Sequence, residues 1–461
     1  MRRLAARFPQ RYPLLLDSAA TGPLSRASVL LAAPRAALWL DADGRLGAHG
    51  FTPQGTTFLG ALEHWWLAER IPPHPAGVAG VAGDPAGEPT SPPFAGGWAL
   101  FLGYELAREV EPRLLLPRCP LPWQAFALRT PCALVHELET GRVYAAAEAE
   151  AADALEQVGR DAHAVSAAEP VPDVLTIGQV REEDAAAYLE RVRRAKEYVR
   201  AGEIYQANLS RPWDVTLGVP PNEPDLTHAT TAATLYERLC AANPAPFAAF
   251  AQWQDIAILS SSPERLIRVN GRRVDTRPIA GTRPRSRTGD SDRREMTELA
   301  AHPKERAEHI MLIDLERNDL GRVCEAGTVR VDELMTIESY QHVHHIVSNV
   351  SGVLRPEVTP IGAVRAVFPG GTITGCPKFR CMQLIAELEQ EGRGAYTGSL
   401  GYLTRDGQLD LNILIRTMTV SGSRLSFRAG AGIVADSDPQ RELEETRAKA
   451  RGLLAALGGL R

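Results

Sequence analysis

Six cysteines are scattered through 461 residues (Cys119, Cys132, Cys240, Cys324, Cys376 and Cys381) with no CxxC pair among them. That excludes a dense disulfide framework, points to a reducing compartment and leaves the thiols free. No run of about 18 apolar residues occurs, and Arg and Pro interrupt MRRLAARFPQRYPLLLDSA before a signal-peptide core can form. The chain therefore reads as soluble and cytoplasmic, with no membrane partner. An excess of positive charge is also missing: Lys+Arg total 51 against Asp+Glu 56, a formal net charge of -5. Without a positive field, a nucleic-acid partner is not expected. There is no fixed-period repeat, no regular βαβ order and no Walker A spacing.

Ordinary globular composition is present, 44% hydrophobic and 23% charged, over a length that allows a large core. Ile71–Pro93 (IPPHPAGVAGVAGDPAGEPTSPP) offers almost nothing to pack and reads as an exposed loop. A weaker break falls between Ala145 and Asp173. These breaks divide the chain into residues 1–150 and 176–461, expected to form one interleaved unit. LLLDSA near the N-terminus reads as a buried strand. Within TIGQVREEDAAAYLERVRRAKEYVRAG, Ala187, Leu189, Val192, Ala195 and Val199 approximate one helical face, and Ala201-Gly202 ends it. Short β patterns then mix irregularly with longer helical ones, which predicts an α+β class.

Two helical segments carry glutamates three residues apart. In HPKERAEHIMLIDLERND, Pro303 suits the first turn, Glu305 and Glu308 share a face, and His309 lies four residues from Glu305. In ADSDPQRELEETRAKARGLL, Asp438 caps, Pro439 starts the helix, and Glu442 and Glu445 share a face. Each pair alone reads as a solvated face. If the four converged, Mg²⁺ would be the natural neutraliser.

Phe368–Lys378 (FPGGTITGCPK) brings together backbone N–H groups, the Thr372 and Thr374 hydroxyls and Lys378, suiting an anionic ligand. RAGAGIVADS, containing Gly432, permits close approach of a ligand or a tight strand. Arg416 ends the apolar strand LNILIRT and needs a carboxylate partner, internal or on a substrate. His345 alternates with apolar residues and faces inward, by default as a satisfied core histidine, and Glu264 in SSSPER, after Pro at a strand end, is a loop carboxyl that serves either as a proton donor or only as a turn residue.

Taken in order, these segments resemble the chorismate-utilising enzymes, from about Val180 to the C-terminus and more loosely from Pro13 to Glu139. The resemblance implies an α/β/β/α arrangement of two large, orthogonally packed antiparallel sheets flanked by helices. It implies that Glu305, Glu308, Glu442 and Glu445 hold Mg²⁺, that Glu264 is the general acid for the 4-hydroxyl, and that His345, Thr372, Tyr396, Arg416 and Gly432 contact chorismate. Where members that add water carry a lysine, this chain has Gln206, so ammonia is the expected nucleophile. YQANLS, SSSPER, FPGGTITG and YTGSLGY are similar to the aminodeoxychorismate branch, which serves p-aminobenzoate and folate synthesis. TRPIAGTRPR instead carries Ala280 where that branch commonly has lysine, as the anthranilate branch does. No segment offers a glutaminase nucleophile, so a separate glutaminase subunit is the implied ammonia source. A relative that only binds chorismate is disfavoured, because the general acid and all four glutamates are present.

Overall fold

The computed structural model describes residues 1–458 apart from 21, 23, 25, 73–91, 167–174, 219–227, 286–288 and 341–342. The expected loop at 71–93 lies almost wholly outside the described residues. Two antiparallel sheets of eleven strands each carry the architecture, and helices flank them. One sheet centres on Arg424–Ile433, Thr417–Ser421, Ile256–Ser262 and Phe247–Trp253; the other on Arg273–Arg277, Arg265–Asn270, Leu409–Asn412 and Ser399–Thr404. Strands from the N-terminal third enter both: Leu14–Asp17 and Ala27–Ala32 join the first, Gly97–Leu102 and Trp123–Thr130 the second.

The strand sequences explain the layering. A strand presents alternate residues to opposite faces, so one buried on both faces reads as a continuous apolar run. In Ala27–Ala32, Leu30 and Ala32 join a core beneath helices, whereas Val29 and Leu31 join the core between the sheets. Gly97–Leu102 divides likewise: Trp98, Leu100 and Leu102 face the other helical layer, while Ala99 and Phe101 face inward.

The Ala185–Arg200 helix matches the sequence expectation and is capped by Asp184. Pro303–Gly321 and Pro439–Ala456 start at their prolines, and Asp438 caps the second by accepting from Arg441 N–H. The Ala/Glu-rich break at 145–173 holds more order than expected, because Ala152–Ser166 is a helix that buries Ala154, Val158 and Val165. LLLDSA is only half a buried strand. Leu14 and Leu15 enter the two cores, whereas Leu16, Asp17 and Ser18 line a cavity of about 670 Å³ shared with Tyr144 and Tyr402. No helix among the described residues is long and apolar enough to cross a membrane.

Candidate active site

Two chain segments pass side by side from one sheet to the other, and the candidate chemistry sits where they cross. Ile256–Ser262 belongs to the first sheet and Arg265–Asn270 to the second; Glu264 lies in the link. Leu409–Asn412 and Thr417–Ser421 make the reverse passage, with Arg416 in their link. The links are bonded together: Ile413 N–H donates to the Glu264 carbonyl at 3.0 Å, and Ser261 N–H to the Arg416 carbonyl at 3.1 Å. Arg416 has a left-handed backbone, φ 52°, a conformation costing a non-glycine residue about 1–3 kcal/mol.

Glu264 is 4% exposed and accepts a long, 3.4 Å hydrogen bond from Ile279 N–H. Burial pushes its carboxyl up to about 8; the Thr372 hydroxyl, Ile279 N–H and the Arg416 charge pull the other way, and Glu316 adds to the rise. It is therefore protonated near neutral pH. Among the described residues the Arg416 guanidinium has no hydrogen-bond or ion-pair partner. Burial works against its charge and Glu264 supports it. His345 is buried and held neutral, its pKa lowered to about 3 by desolvation and then by Arg416, while a hydrogen bond to the Gly281 backbone opposes this. Gly281 has φ +69°, and a Cβ there would stand 2.8 Å from Glu305 Oε2, so glycine lets the Pro303–Gly321 helix bring Glu305 down onto this strand. Thr372, in the Gly371–Ile373 turn, points its hydroxyl toward Glu264 and among the described residues completes no close hydrogen bond.

A second group faces this one across the same turn. Gln206–Gly218 pairs with Arg424–Ile433, placing Asn208 opposite Gly432. A Cβ on Gly432 would meet the Gln206 amide nitrogen at 2.2 Å, and one on Gly430 would meet Asn208 Oδ1 and the Tyr396 hydroxyl at 2.6 Å. At Gly430 a Cβ would also meet the Leu209 carbonyl at 2.8 Å, so glycine is needed there, whereas at Gly432 it leaves room for the Gln206 amide to lie over the strand. Gln206 Oε1 and Asn208 Oδ1 are buried without hydrogen-bond partners. Lys449 donates to the Gly430 carbonyl at 2.9 Å and pairs with Glu445 at 2.8 Å. The buried Tyr188 feels the charges of Glu442 and Glu445 and lies near Tyr396. Asn208 N–H donates to Thr374 O at 2.9 Å, which joins the two groups through the Thr372 turn.

Not every expected residue joins them. The Lys378 ammonium is held by the Asp319 carboxylate and donates to Val367 O at 2.9 Å, facing a separate groove. His309 does not pair with Glu305 but is buried against Ser348, Nε2 to Oγ 2.6 Å. Glu305 pairs with Arg283 at 3.2 Å. Glu442 is buried, and Glu308 is half-buried on the helix that carries Glu305. Four carboxylates are the donors a hard divalent cation takes. They are not gathered in advance: among the described residues no three acidic, His or Cys side chains form a ready cage. Sequence reading missed Asn208, Glu316, Asp319 and Lys449. Three of them carried a spacing signal: Glu316 and Asp319 stand three residues apart on one helix, and Lys449 four residues after Glu445 on another.

A sequence model of the chorismate binding enzymes matches residues 36–455. The chain belongs to the chorismate-binding enzyme family. It is 43% identical over 373 residues to an anthranilate synthase component I-like protein of Synechocystis sp., covering 80% of this chain and 74% of that one. It is 44% identical over 270 residues to aminodeoxychorismate synthase component 1 of Bacillus subtilis, covering 59% and 55%. The crystal structure of anthranilate synthase component I from Streptococcus pneumoniae superposes with a TM-score of 0.78 at 28% identity, covering 93% and 92%. In this family member the two-sheet fold frames the crossing at Glu264 and Arg416.

Proposed function

We propose that this chorismate-binding enzyme replaces the 4-hydroxyl of chorismate by ammonia, as component I of an aminodeoxychorismate synthase fed by a separate glutaminase subunit. The carrying observation is the crossing itself, where a carboxyl protonated near neutral pH lies beside a guanidinium that has no hydrogen-bond or ion-pair partner among the described residues. Arg416 offers a bidentate fork to a substrate carboxylate. Glu264 gives its proton to the departing hydroxyl, which would otherwise be a poor leaving group. Neutral His345 and the Thr372 hydroxyl orient the bound acid through hydrogen bonds, and Tyr396 and the Gly432 backbone close the opposite wall. Gln206, an amide, supplies no base for activating water, which favours amination over hydration. Mg²⁺, held through Glu305, Glu308, Glu442 and Glu445, would supply positive charge for the ring carboxylate.

Ala280 and the names of two of the relatives favour a second reading, an anthranilate synthase component I that aminates C2 and eliminates pyruvate. Incubating the protein with chorismate, Mg²⁺ and ammonium salt separates the two. Mass-spectrometric detection of 4-amino-4-deoxychorismate without pyruvate supports the first reading. Fluorescent anthranilate with equimolar pyruvate establishes the second.

A further inference from the structure

A groove of about 710 Å³ opens between the Pro303–Gly321 and Lys378–Glu389 helices. Its walls are largely apolar, formed by Ile310, Met311, Leu315 and Phe379, with Tyr205 exposed at the rim. Asp319 and Lys378 stand in its floor. Asp319 is buried, and Lys378 caps it. One turn back on the same helix face lies Glu316, also buried and behind the groove lining. Glu316 Oε1 is 3.5 Å from where Gly371 would carry a Cβ. Thr276, 1% exposed, turns a hydroxyl toward Glu316 that completes no hydrogen bond, so a small polar guest has a ready partner there. Gly371 begins the turn that carries Thr372, and Thr372 flanks Glu264 on its other side. Three buried carboxyls, Asp319, Glu316 and Glu264, thus succeed one another from the groove floor to the candidate acid.

We propose that ammonia enters through this groove and that Asp319 and Glu316 take the surplus proton of incoming ammonium and pass it toward Glu264. The inference rests on reading the chain as an ammonia-using chorismate enzyme. The balance closes without an outside reagent. Ammonium breaks one N–H bond to a carboxylate and keeps the lone pair. Glu264 gives its own proton to the departing hydroxyl, which leaves as water, and recovers one from Glu316. The lone pair then forms the C–N bond, so chorismate plus ammonium yields the protonated amine plus water. Burial, then the Asp319 charge, pushes Glu316 up to about 7, a value suited to holding and releasing a proton near neutrality. The other groups facing this pair are Lys378, Arg322, the Cys376 thiol and Glu264.

The test measures ammonium-dependent chorismate consumption at about pH 7 and about pH 9 for the wild type, Glu316→Gln and Met311→Trp, each checked for folding by thermal denaturation. Glu316→Gln should lose about 10²-fold in kcat/KM for ammonium at the lower pH, the low end of proton-transfer effects, and approach the wild type at the higher pH where free ammonia is plentiful. Met311→Trp, on the partly exposed groove wall, should raise the ammonium KM several-fold and leave the chorismate KM unchanged. An equal loss for Glu316→Gln at both pH values, or an unchanged ammonium KM in Met311→Trp, overturns the proposal. Should Glu316→Gln fail to fold, Met311→Trp decides alone. A wild type that consumes no chorismate with ammonium refutes the underlying reading instead.

Discussion

Glu264 and Arg416 occupy adjacent links where the chain twice leaves one sheet for the other, and main-chain bonds from Ile413 and Ser261 tie the links together. These main-chain bonds, rather than a side-chain ion pair, fix how far apart the acid and the cation stand. Preorganisation of this sort places charge where a reacting group will need it.

Glu264→Gln should therefore lower kcat by about 10²–10⁴-fold while changing the chorismate KM little. Burial raises this carboxyl to about 8, so it is a proton donor below that pH and is spent above it. Wild-type kcat should fall on the alkaline side with an apparent pKa near that value, and the limb should vanish in the residual activity of the variant. A normal kcat with weakened binding would make Glu264 a positioning residue.

Arg416→Lys keeps the charge but loses the planar fork and must also adopt the left-handed backbone. Steady-state kinetics should show kcat/KM reduced by about tenfold or more, the 1.5–3 kcal/mol scale of a hydrogen bond to a charged group. Unchanged kinetics would return Arg416 to a structural role.

Much of this site was legible because its residues sit on strong local patterns. The glutamate pairs follow helical spacing behind prolines and caps, and Glu264 follows a recognisable strand; LNILIRT, which reads as one strand ending at Arg416, instead stops at Asn412, and Arg416 lies in the link to a strand of the other sheet. The sheet crossing was not legible, since it arises from pairings such as Arg265 with Asn412, far apart in sequence. Periodicity gave Glu305 and His309 one helix face, yet could not say that His309 would turn to Ser348 while Glu305 met Arg283. Lys378 looked free for an anion because Asp319 lies 59 residues away. Only the packing of two helices brings them together.

If the four glutamates hold Mg²⁺, chelation should abolish turnover and added Mg²⁺ should restore it. Glu305→Ala and Glu445→Ala should each remove the Mg²⁺ dependence together with the activity, while circular dichroism stays native, because neither side chain belongs to a core cluster. Isothermal titration with Mg²⁺ and chorismate together gives a readout separate from turnover. Undiminished activity in metal-free buffer would refute the assignment.

The fold itself has a pH-sensitive anchor. Glu389 is fully buried between Arg393 and Arg428, which hold its carboxyl down to about 2 against the cost of burial. The unfolded value is about 4.3, so the contribution is complete above that pH and is lost as pH falls toward 2. Glu389→Gln leaves the Arg393 guanidinium without its carboxylate and Arg428 with Glu391 alone, and should destabilise the protein by about 3–5 kcal/mol at neutral pH in denaturant titrations. A loss under 1 kcal/mol would show that Glu391 and the backbone suffice for the arginines.

Ala280 makes the last test the most discriminating. It is buried in Ile279–Pro284, one residue beyond the Ile279 N–H that meets Glu264, so a side chain here borders the reacting centre. A methyl group has no lone pair, so no covalent adduct with chorismate can form at this position, whichever product is released. Intact-protein mass spectrometry during turnover should show the unmodified mass. Ala280→Lys places an amine beside Glu264, where burial favours its neutral, nucleophilic form. That variant should trap a chorismate-derived mass if the pocket has the shape of the aminodeoxychorismate branch. A wild-type adduct on this segment would overturn the argument. Wild-type release of anthranilate and pyruvate, with no adduct in the lysine variant, would mean that ammonia attacks C2 directly and that this one methyl group outweighs the neighbouring motifs in choosing the product.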